Sequence, residues 1–547
     1  MKQRLNTTLQ LALVTALCAG LAACSGGNGG AAEQENAAPA PAPEAAPSET
    51  KEQPAAAETK SEEKFTITML DFRYGKLPPA GGAGIQMINE RFNVDWQPTY
   101  VSRDDYDQKL SVTVAGGDMP DILIMENPME PNFYKWAAQG AFLPLEEYID
   151  DYETFKLLPD FAINAATVNG HIYELPGYYV SQFSNTPMIR QDWLDNLGLK
   201  MPTSYEELRE VALAFTNNDP DGNGKKDTYG MVMAENINPQ YHFGAYWDFL
   251  AWYHKDKDGN FVPGIISDVR KEHLKFLADL YKEGAITPDF GLINWGQAYK
   301  EFYSGKGGMF IGYPGGVGPD NIQALKDINP NAKLAPIPPF PAPDGTLGFT
   351  SNSGMYRAVM LNAKLKDQPE KVKRILEIVD FGRKFYPAEE RTPANAEFDW
   401  FRGKEGSGYK MQDGVAVLEL EEKGLKPSDY FPDTNAWAPN DAANQFAEQY
   451  KSEPLHYDTL KAFEKMHLES KHYYGPEKGL YSEPKNKYEL DLYFKMYAEQ
   501  TKMIVGQTPI DEGWDAMLQK YMNEGGAEMI KDVNEKIKAA GTSGRWE

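Results

Sequence analysis

The run Asp219-Pro-Asp-Gly-Asn-Gly-Lys-Lys-Asp constrains this chain more than any other stretch, because it dictates a turn and limits what can flank it. Acidic or amide oxygens stand at its first, third, fifth and ninth positions, and Gly224 falls at the sixth, where a calcium loop turns sharply. Ca²⁺ is a hard cation that takes about six to eight oxygens. Asp219, Asp221, Asn223, the Lys225 carbonyl and Asp227 therefore form a sensible donor set. The twelfth position is Gly230 rather than a bidentate Glu, and Thr228-Tyr-Gly-Met-Val-Met reads as a strand. A paired regulatory EF-hand is thereby excluded, and the role of any ion is structural. The same residues also suit an ordinary Asp/Asn/Gly turn that holds no ion.

Upstream lies an Arg-Gln-Asp-Trp-Leu element (Arg190 to Leu194), then an amphipathic helix. Thr203 or Ser204 is its N-cap, with Glu206 or Glu207 reaching back as a capping box. Tyr205, Leu208, Val211, Ala212 and Phe215 recur at helical spacing on one apolar face.

The N-terminus reads as targeting. Lys2 and Arg4 precede the apolar run Leu11 to Ala19, and Leu21-Ala22-Ala23-Cys24 resembles a lipobox. By that resemblance residues 1–23 are a lipoprotein signal peptide and Cys24 becomes the acylated mature N-terminus, anchored to the outer face of the bacterial cytoplasmic membrane. Ordinary secretion and an uncleaved helix are the alternatives, the latter disfavoured by a short apolar stretch. The other cysteine, Cys18, lies inside the signal, so the remaining chain has no thiol for a disulfide, a Cys-zinc site or a nucleophile. Residues 24–63, rich in Ala, Pro, Glu and Gly, cannot bury enough surface to fold and read as a tether. As a flexible coil its ends would lie roughly 35 Å apart.

A net charge of -25 argues against a nucleic-acid binder, which needs clustered Lys and Arg. It also weakly disfavours a polyanionic ligand, unless a local basic cleft overrides the average. Gly-x-Ser-x-Gly, P-loop, Rossmann and His-Glu-x-x-His motifs are missing. Of seven histidines, His467 and His472 are five apart, which on a helix puts them on different faces and makes a poor metal pair. A glycosidase needs only two carboxylates, but no pair among the acidic residues is singled out. An enzyme is not expected.

The globular body alternates strand and helix, which argues for an α/β fold. Phe65 to Leu70 and Val94 to Val101 read as strands, Gly84 to Phe92 and Asp105 to Val114 as helices, and Asp121-Ile-Leu-Ile-Met as a buried parallel strand. Further helices are expected at Asp268 to Tyr281, Pro369 to Phe385 and within Tyr488 to Ala540.

These motifs together resemble the extracellular solute-binding lipoproteins of oligosaccharide ABC importers, in the large branch that includes LplA-like lipoproteins and alginate-binding proteins. The resemblance rests on Ile189-Arg190-Gln191-Asp192-Trp193-Leu194, Pro202-Thr203-Ser204, Asp219 to Asp227, Ala115-Gly-Gly-Asp-Met-Pro-Asp-Ile and Lys300 to Met309. It covers nearly all of 64–547, most strongly between 115 and 310. Ile189 replaces a common aromatic, and Thr228 stands where alginate binders have an acidic calcium ligand. The resemblance implies a two-lobed, type II periplasmic-binding-protein-like fold with about three hinge crossings. The expected division is 64–180 and 352–430 for the N-lobe, and 188–348 and 440–547 for the C-lobe. It further implies a monomer that captures a saccharide between its lobes, closes, and delivers it to ABC importer permeases. Receptors for a peptide or other solute, a ligand-sensing lipoprotein and a secreted glycan-active enzyme are the other readings.

Sugar recognition needs flat aromatic faces and planar polar groups, and aromatics make up 12% of this chain. The expected ligand contacts are Tyr178 beside the first crossing, Trp247 in the C-lobe, Trp437 at the third crossing, Arg190, and Asp71. Asp71 sits just past the predicted end of the first strand, where open α/β sheets bind ligands. Trp193 is expected in the core. On a helix Trp247 and Trp252 would face different ways, one toward the core and one toward the cleft.

Overall fold

The computed structural model describes residues 63–73, 76–128, 130–183, 185–234, 242–312 and 317–547. The signal segment, Cys24 and nearly all of the 24–63 tether lie outside them. The strands that build the body are, in chain order, β1 (Phe65–Arg73), β2 (Val94–Ser102), β3 (Ile122–Met125), β4 (Leu175–Tyr178), β5 (Pro187–Arg190), β6 (Tyr229–Met231), β7 (Gly307–Ile311), β8 (Leu334–Pro336), β9 (Phe349–Thr350), β10 (Met355–Leu361), β11 (His472–Tyr474) and β12 (Arg545–Trp546).

Two sheets define two lobes. The first has the order β2-β1-β3-β10-β4, with β1, β2 and β3 parallel and β10 antiparallel to both of its neighbours. Its middle strand Ile122–Met125 is buried at every position, as the apolar run demands. The second has the order β8-β5-β7-β6. Here Gly307 and Gly308 are needed for closeness: a Cβ on Gly308 would stand 2.0 Å from the Phe215 ring. Helix Tyr205–Asn217 lies on this sheet, with Leu208, Val211, Ala212 and Phe215 buried. Ser204 caps it by accepting from the Glu207 N–H, while the Glu207 carboxylate reaches Thr203 N and Oγ1, both at 2.8 Å. Trp193 is fully buried, edge-on to Phe215 at 5.3 Å.

The chain passes between the sheets three times. It leaves the first after β4 and enters the second at β5; it returns between β8 and β10; and it leaves again between Trp437, in the first lobe's core, and Ala447, in the second's. These segments are tied to one another. Tyr178 N–H donates to Asn435 O (3.1 Å), Tyr179 N–H to Gly354 O (3.0 Å) and Asn352 N–H to Ser181 O (2.7 Å). The small sheet β9-β11-β12 clips the second crossing to the chain's last residues. The long C-terminal stretch folds as helices Glu483–Ile504, Ile510–Tyr521 and Ala527–Ala540, packed into the second lobe.

One expectation fails here. Helix Pro454–Glu469 stops before His472, whose residue lies on β11, so helical facing does not separate the two histidines. Their rings stand 6.0 Å apart, both fully buried, with Phe349 of the second crossing 4.8 Å from His467 and 6.2 Å from His472. His467 Nε2 meets Thr186 Oγ1 at 3.3 Å, at the end of the first crossing. Burial lowers His467 to about 3 and His472 to about 4, from 6.5.

Both histidines thus stay neutral in the fold while their unfolded counterparts take up protons below pH 6.5. Their contribution to stability is complete above that value and is lost as pH falls toward 4, at up to about 1.4 kcal/mol per pH unit for each. Asp429, raised to about 6 by burial, works the other way: its folded form gains as pH falls from about 6 toward 3.8. Melting curves between pH 8 and 4 should show the midpoint falling below pH 6.5, and His467→Phe should flatten that fall. A midpoint independent of pH in both proteins would refute the assignment.

Candidate functional site

Parallel strands carry their C-terminal ends, and the loops that follow, to one edge of a sheet. In the first lobe that edge receives the ends of β1, β2 and β3, the start of β10 and the end of β4. Asp71 lies within β1, two residues before its end rather than past it, because the strand continues to Arg73, and it is completely buried there. Its carboxylate binds the guanidiniums of Arg73 and Arg357 and accepts the Phe72 N–H at 2.7 Å. Arg73 lies over the Tyr100 ring (4.3 Å) and donates to Asp429 O (2.9 Å). Burial opposes the charge on Arg73 and Arg357, but Asp71 outweighs it and holds both above the ordinary arginine value. Arg103, the first residue of the helix capped by Ser102, binds Glu126, and Tyr356 OH donates to the same carboxylate at 3.3 Å.

Arg357 reaches this cluster because β10 slips register against β4 between Met355 and Ala358, and Arg357 sits at φ 59, a left-handed conformation uncommon outside glycine. A bulge of this kind re-aims side chains at a sheet's rim.

Beside this edge a cavity of about 370 Å³ opens at the crossings, lined by Tyr178, Tyr179, Tyr356, Arg391, Asn435 and Phe446 among others. Tyr178 OH donates to Asp441 and accepts from Asn444 Nδ2 at 3.0 Å; burial and then Asp441 raise its pKa. Trp437 meets the Tyr178 ring at 5.5 Å but is 7% exposed, with Nε1 donating to Pro176 O at 3.1 Å. The open aromatic next to it is Phe161, 42% exposed and 6.1 Å from Trp437. Arg73, Arg103, Arg357, Glu126, Tyr356 and Phe161 carry no spacing signal that would have drawn them together from the sequence.

In the second lobe, Tyr246 to Tyr253 is not helical beyond the short 3-10 turn Ala245–Trp247. Trp252 is core; Trp247 is half-buried against Tyr205 (5.1 Å) and Tyr246 (5.2 Å). Arg190 is 2% exposed: Asp192 takes both N–H groups of one edge of its guanidinium (2.8 and 2.6 Å), and its face lies over Trp193 at 4.7 Å. The side chain expected to contact ligand therefore braces the start of the following helix. Asp71 and Trp437 are likewise turned inward, whereas Tyr178 and Trp247 keep part of their surface.

The oxygen-rich loop gathers its acids around Asn223. Asn223 N–H and Gly224 N–H donate to Asp219 (3.0 and 2.9 Å), and Asn223 Nδ2 donates to Asp221 (2.8 Å) and Asp227 (3.2 Å). Burial, then a hydrogen bond with Asp219 and the nearby Asp227 and Asp219 charges, raise the Asp221 carboxyl. Lys225 N–H donates to Asn223 Oδ1 at 2.8 Å. The next positions cannot help: Thr228 Oγ1 turns inward to Phe215 O (2.8 Å), and a side chain at Gly230 would strike Ala212 at 2.6 Å. Among the described residues, no three His, Cys, Asp or Glu side chains stand in metal-holding geometry, so the loop as folded offers the donors but not a closed cage.

Comparison with known proteins places this architecture. The bacterial extracellular solute-binding protein family matches residues 75–382, more than half of the chain. Lipoprotein LipO of Bacillus subtilis (strain 168) is 26% identical over 457 residues, covering 80% of this chain and 85% of LipO. The S. pneumoniae ABC-transporter substrate binding protein FusA, solved in complex with kestose, superposes with a TM-score of 0.62 at 20% identity, covering 87% of this chain and 99% of FusA. The alginate-binding protein AlgQ2, solved without calcium ion, does so with a TM-score of 0.59 at 19% identity over 87% of this chain and 99% of AlgQ2. With the two-lobed α/β fold, the three crossings and that match, the chain belongs to the bacterial extracellular solute-binding protein family.

Proposed function

We propose that this protein captures a saccharide between its lobes and hands it to an ABC importer, without altering it chemically. The observation that carries the reading is the cavity at the crossings: tyrosine and phenylalanine rings interleaved with Asn435 and Arg391, the mixture of flat faces and planar polar groups that sugar rings require. The kestose complex of FusA supports it by kinship. Ligand contacts made better in the closed than the open arrangement would draw the lobes together. In this reading Tyr178 and Trp247 touch ligand, while Asp71, Arg190 and Trp437 hold the contacting surface in place from behind. Cys24 carries the lipid that keeps the protein at the outer face of the cytoplasmic membrane, and the protein works as a monomer.

A structural Ca²⁺ belongs to the same proposal. Asp219, Asp221, Asn223, Asp227 and the Lys225 carbonyl would hold it, and its charge would offset the crowding of three carboxylates. The structure of AlgQ2 without calcium ion and that of a FusA EF-hand mutant support this reading.

Mixed neutral and acidic oligosaccharides should raise the melting midpoint of the purified protein and be recovered intact; cleaved product would establish an enzyme, and a shift with peptides alone would establish a different receptor. EDTA should lower the midpoint by several degrees, with restoration by Ca²⁺, and Asp219→Ala should abolish that response. Cys24→Ser should release the full-length protein from the membrane fraction of its cells; retention there would refute the lipid anchor.

A further inference from the structure

The cavity at the crossings carries two cations that no carboxylate pairs. Arg391 and Arg402 both line it, beside Tyr386, Phe398 and Phe401 of the first lobe's core. Arg402 ends the helix Ala396–Phe401, and its guanidinium lies over the Phe401 ring at 4.9 Å and the Phe398 ring at 5.9 Å. Among the described residues that guanidinium makes no hydrogen bond and no ion pair within 4.0 Å, although its Nε is shut off from water. Arg391 donates from Nε to Tyr386 O (2.8 Å) and from Nη2 to Asn444 O (3.4 Å), so among the described residues its Nη1 is unused. The neighbouring carboxylates are engaged elsewhere. Glu397 pairs with Lys384 at 2.9 Å and Arg91 at 3.7 Å, and Asp429, which draws on Arg402 only at longer range, pairs with Lys426 at 3.0 Å. Glu389 acts on Arg391 from an exposed position, and Glu390, equally exposed, accepts from Asn395 Nδ2 at 3.4 Å.

Burial and then the Arg391 charge lower Arg402 to about 10, and burial lowers Arg391 as well. A third polar group stands with them. The Tyr386 hydroxyl is buried, lies within electrostatic range of Arg402, and has no hydrogen-bond partner among the described residues. Burial holds its pKa up at about 12, so it keeps its proton and is a donor in search of an acceptor. Two sheltered like charges and a sheltered phenol, with no carboxylate between them, are costly to hold together unless an anion joins them.

We infer that this corner of the cavity is a binding site for a small inorganic oxyanion, phosphate or sulfate, held by the Arg402 guanidinium, Arg391 Nη1 and the Tyr386 hydroxyl. Three donors from separate segments suit the oxygens of a tetrahedral anion better than the two coplanar oxygens of a carboxylate, which one guanidinium edge would satisfy. The position also matters for the hinge. Arg391 holds Asn444 O, and Asn444 Nδ2 donates to Tyr178 OH, so the anion sits next to the fastening of the third crossing to the first.

The test is calorimetric titration of the purified protein with inorganic phosphate and with sulfate, in chloride buffer of constant ionic strength. One or both should bind saturably at a single site in preference to the chloride already present. Arg402→Gln should weaken that binding roughly 10- to 100-fold, the value of a charge-assisted contact. Should that variant fail to fold, Arg391→Gln, which leaves the Arg402 stack on Phe401 untouched, should weaken it in the same titration. No saturable binding of either anion by the unaltered protein, or an affinity that neither substitution lowers, overturns the inference. A response of these arginines confined to acidic sugars overturns it too, because the anion would then belong to the sugar. Binding of neutral oligosaccharides is measured separately, and its failure would strike the saccharide reading while leaving the anion site in place.

Discussion

A carboxylate with almost no access to water holds the crossings together. Asp441 accepts from Tyr178 OH, from Ser181 Oγ at 3.1 Å and from Gln182 N–H at 2.7 Å, so the third passage between the lobes is fastened to the first. Such a passage poses a physical problem, since its backbone has left one sheet and not yet joined the next. Buried N–H and C=O groups must still be satisfied. The solution is mutual: the crossings supply one another's partners, and Lys478 adds three contacts from its ammonium to Ser351 and Asn352 in the second. Burial lowers that ammonium to about 8, so this fastening sheds its charge on the alkaline side of neutrality.

The lobe rim follows from the same economy of buried charge. A carboxylate as enclosed as Asp71 cannot stand ionised alone. Two arginines neutralise it, each laid on an aromatic ring, and Glu421 approaches Arg73 from outside at 3.7 Å. The ion pair Arg383–Asp433 (2.8 Å), with both side chains fully buried, repeats the principle deeper in, joining the helix Pro369–Gly382 region to the approach of the third crossing.

Much of the architecture was legible from local chemistry. Ile122–Met125 could only be a buried strand, Ser204 announced its helix, and the Asp/Asn/Gly run announced a tight loop. The helix expected at Asp268 to Tyr281 forms as Asp268–Lys282, and beside Leu277 and Leu280 it buries Arg270 and His273, held there by bonds to Gln500 and to each other. Site residues fared worse. Arg190 looked available because an arginine before a helix has no visible partner until Asp192 folds back onto it. Trp437 looked like a cleft aromatic because its neighbour Pro176 is 261 residues away in sequence.

The sequence alone determined the elements and their class, since propensity, capping and apolar spacing act over a few residues and are written in order along the chain. The alternation of strand and helix and the calcium-type loop are of this kind. Tertiary structure alone decided which side chains face the space between the lobes. That choice depends on a register slip in β10, on charges brought together from positions 71, 103, 126 and 357, and on a helix ending early enough to set His467 beside His472. Contacts between distant positions leave no spacing to read, and become visible only once the chain has closed on itself.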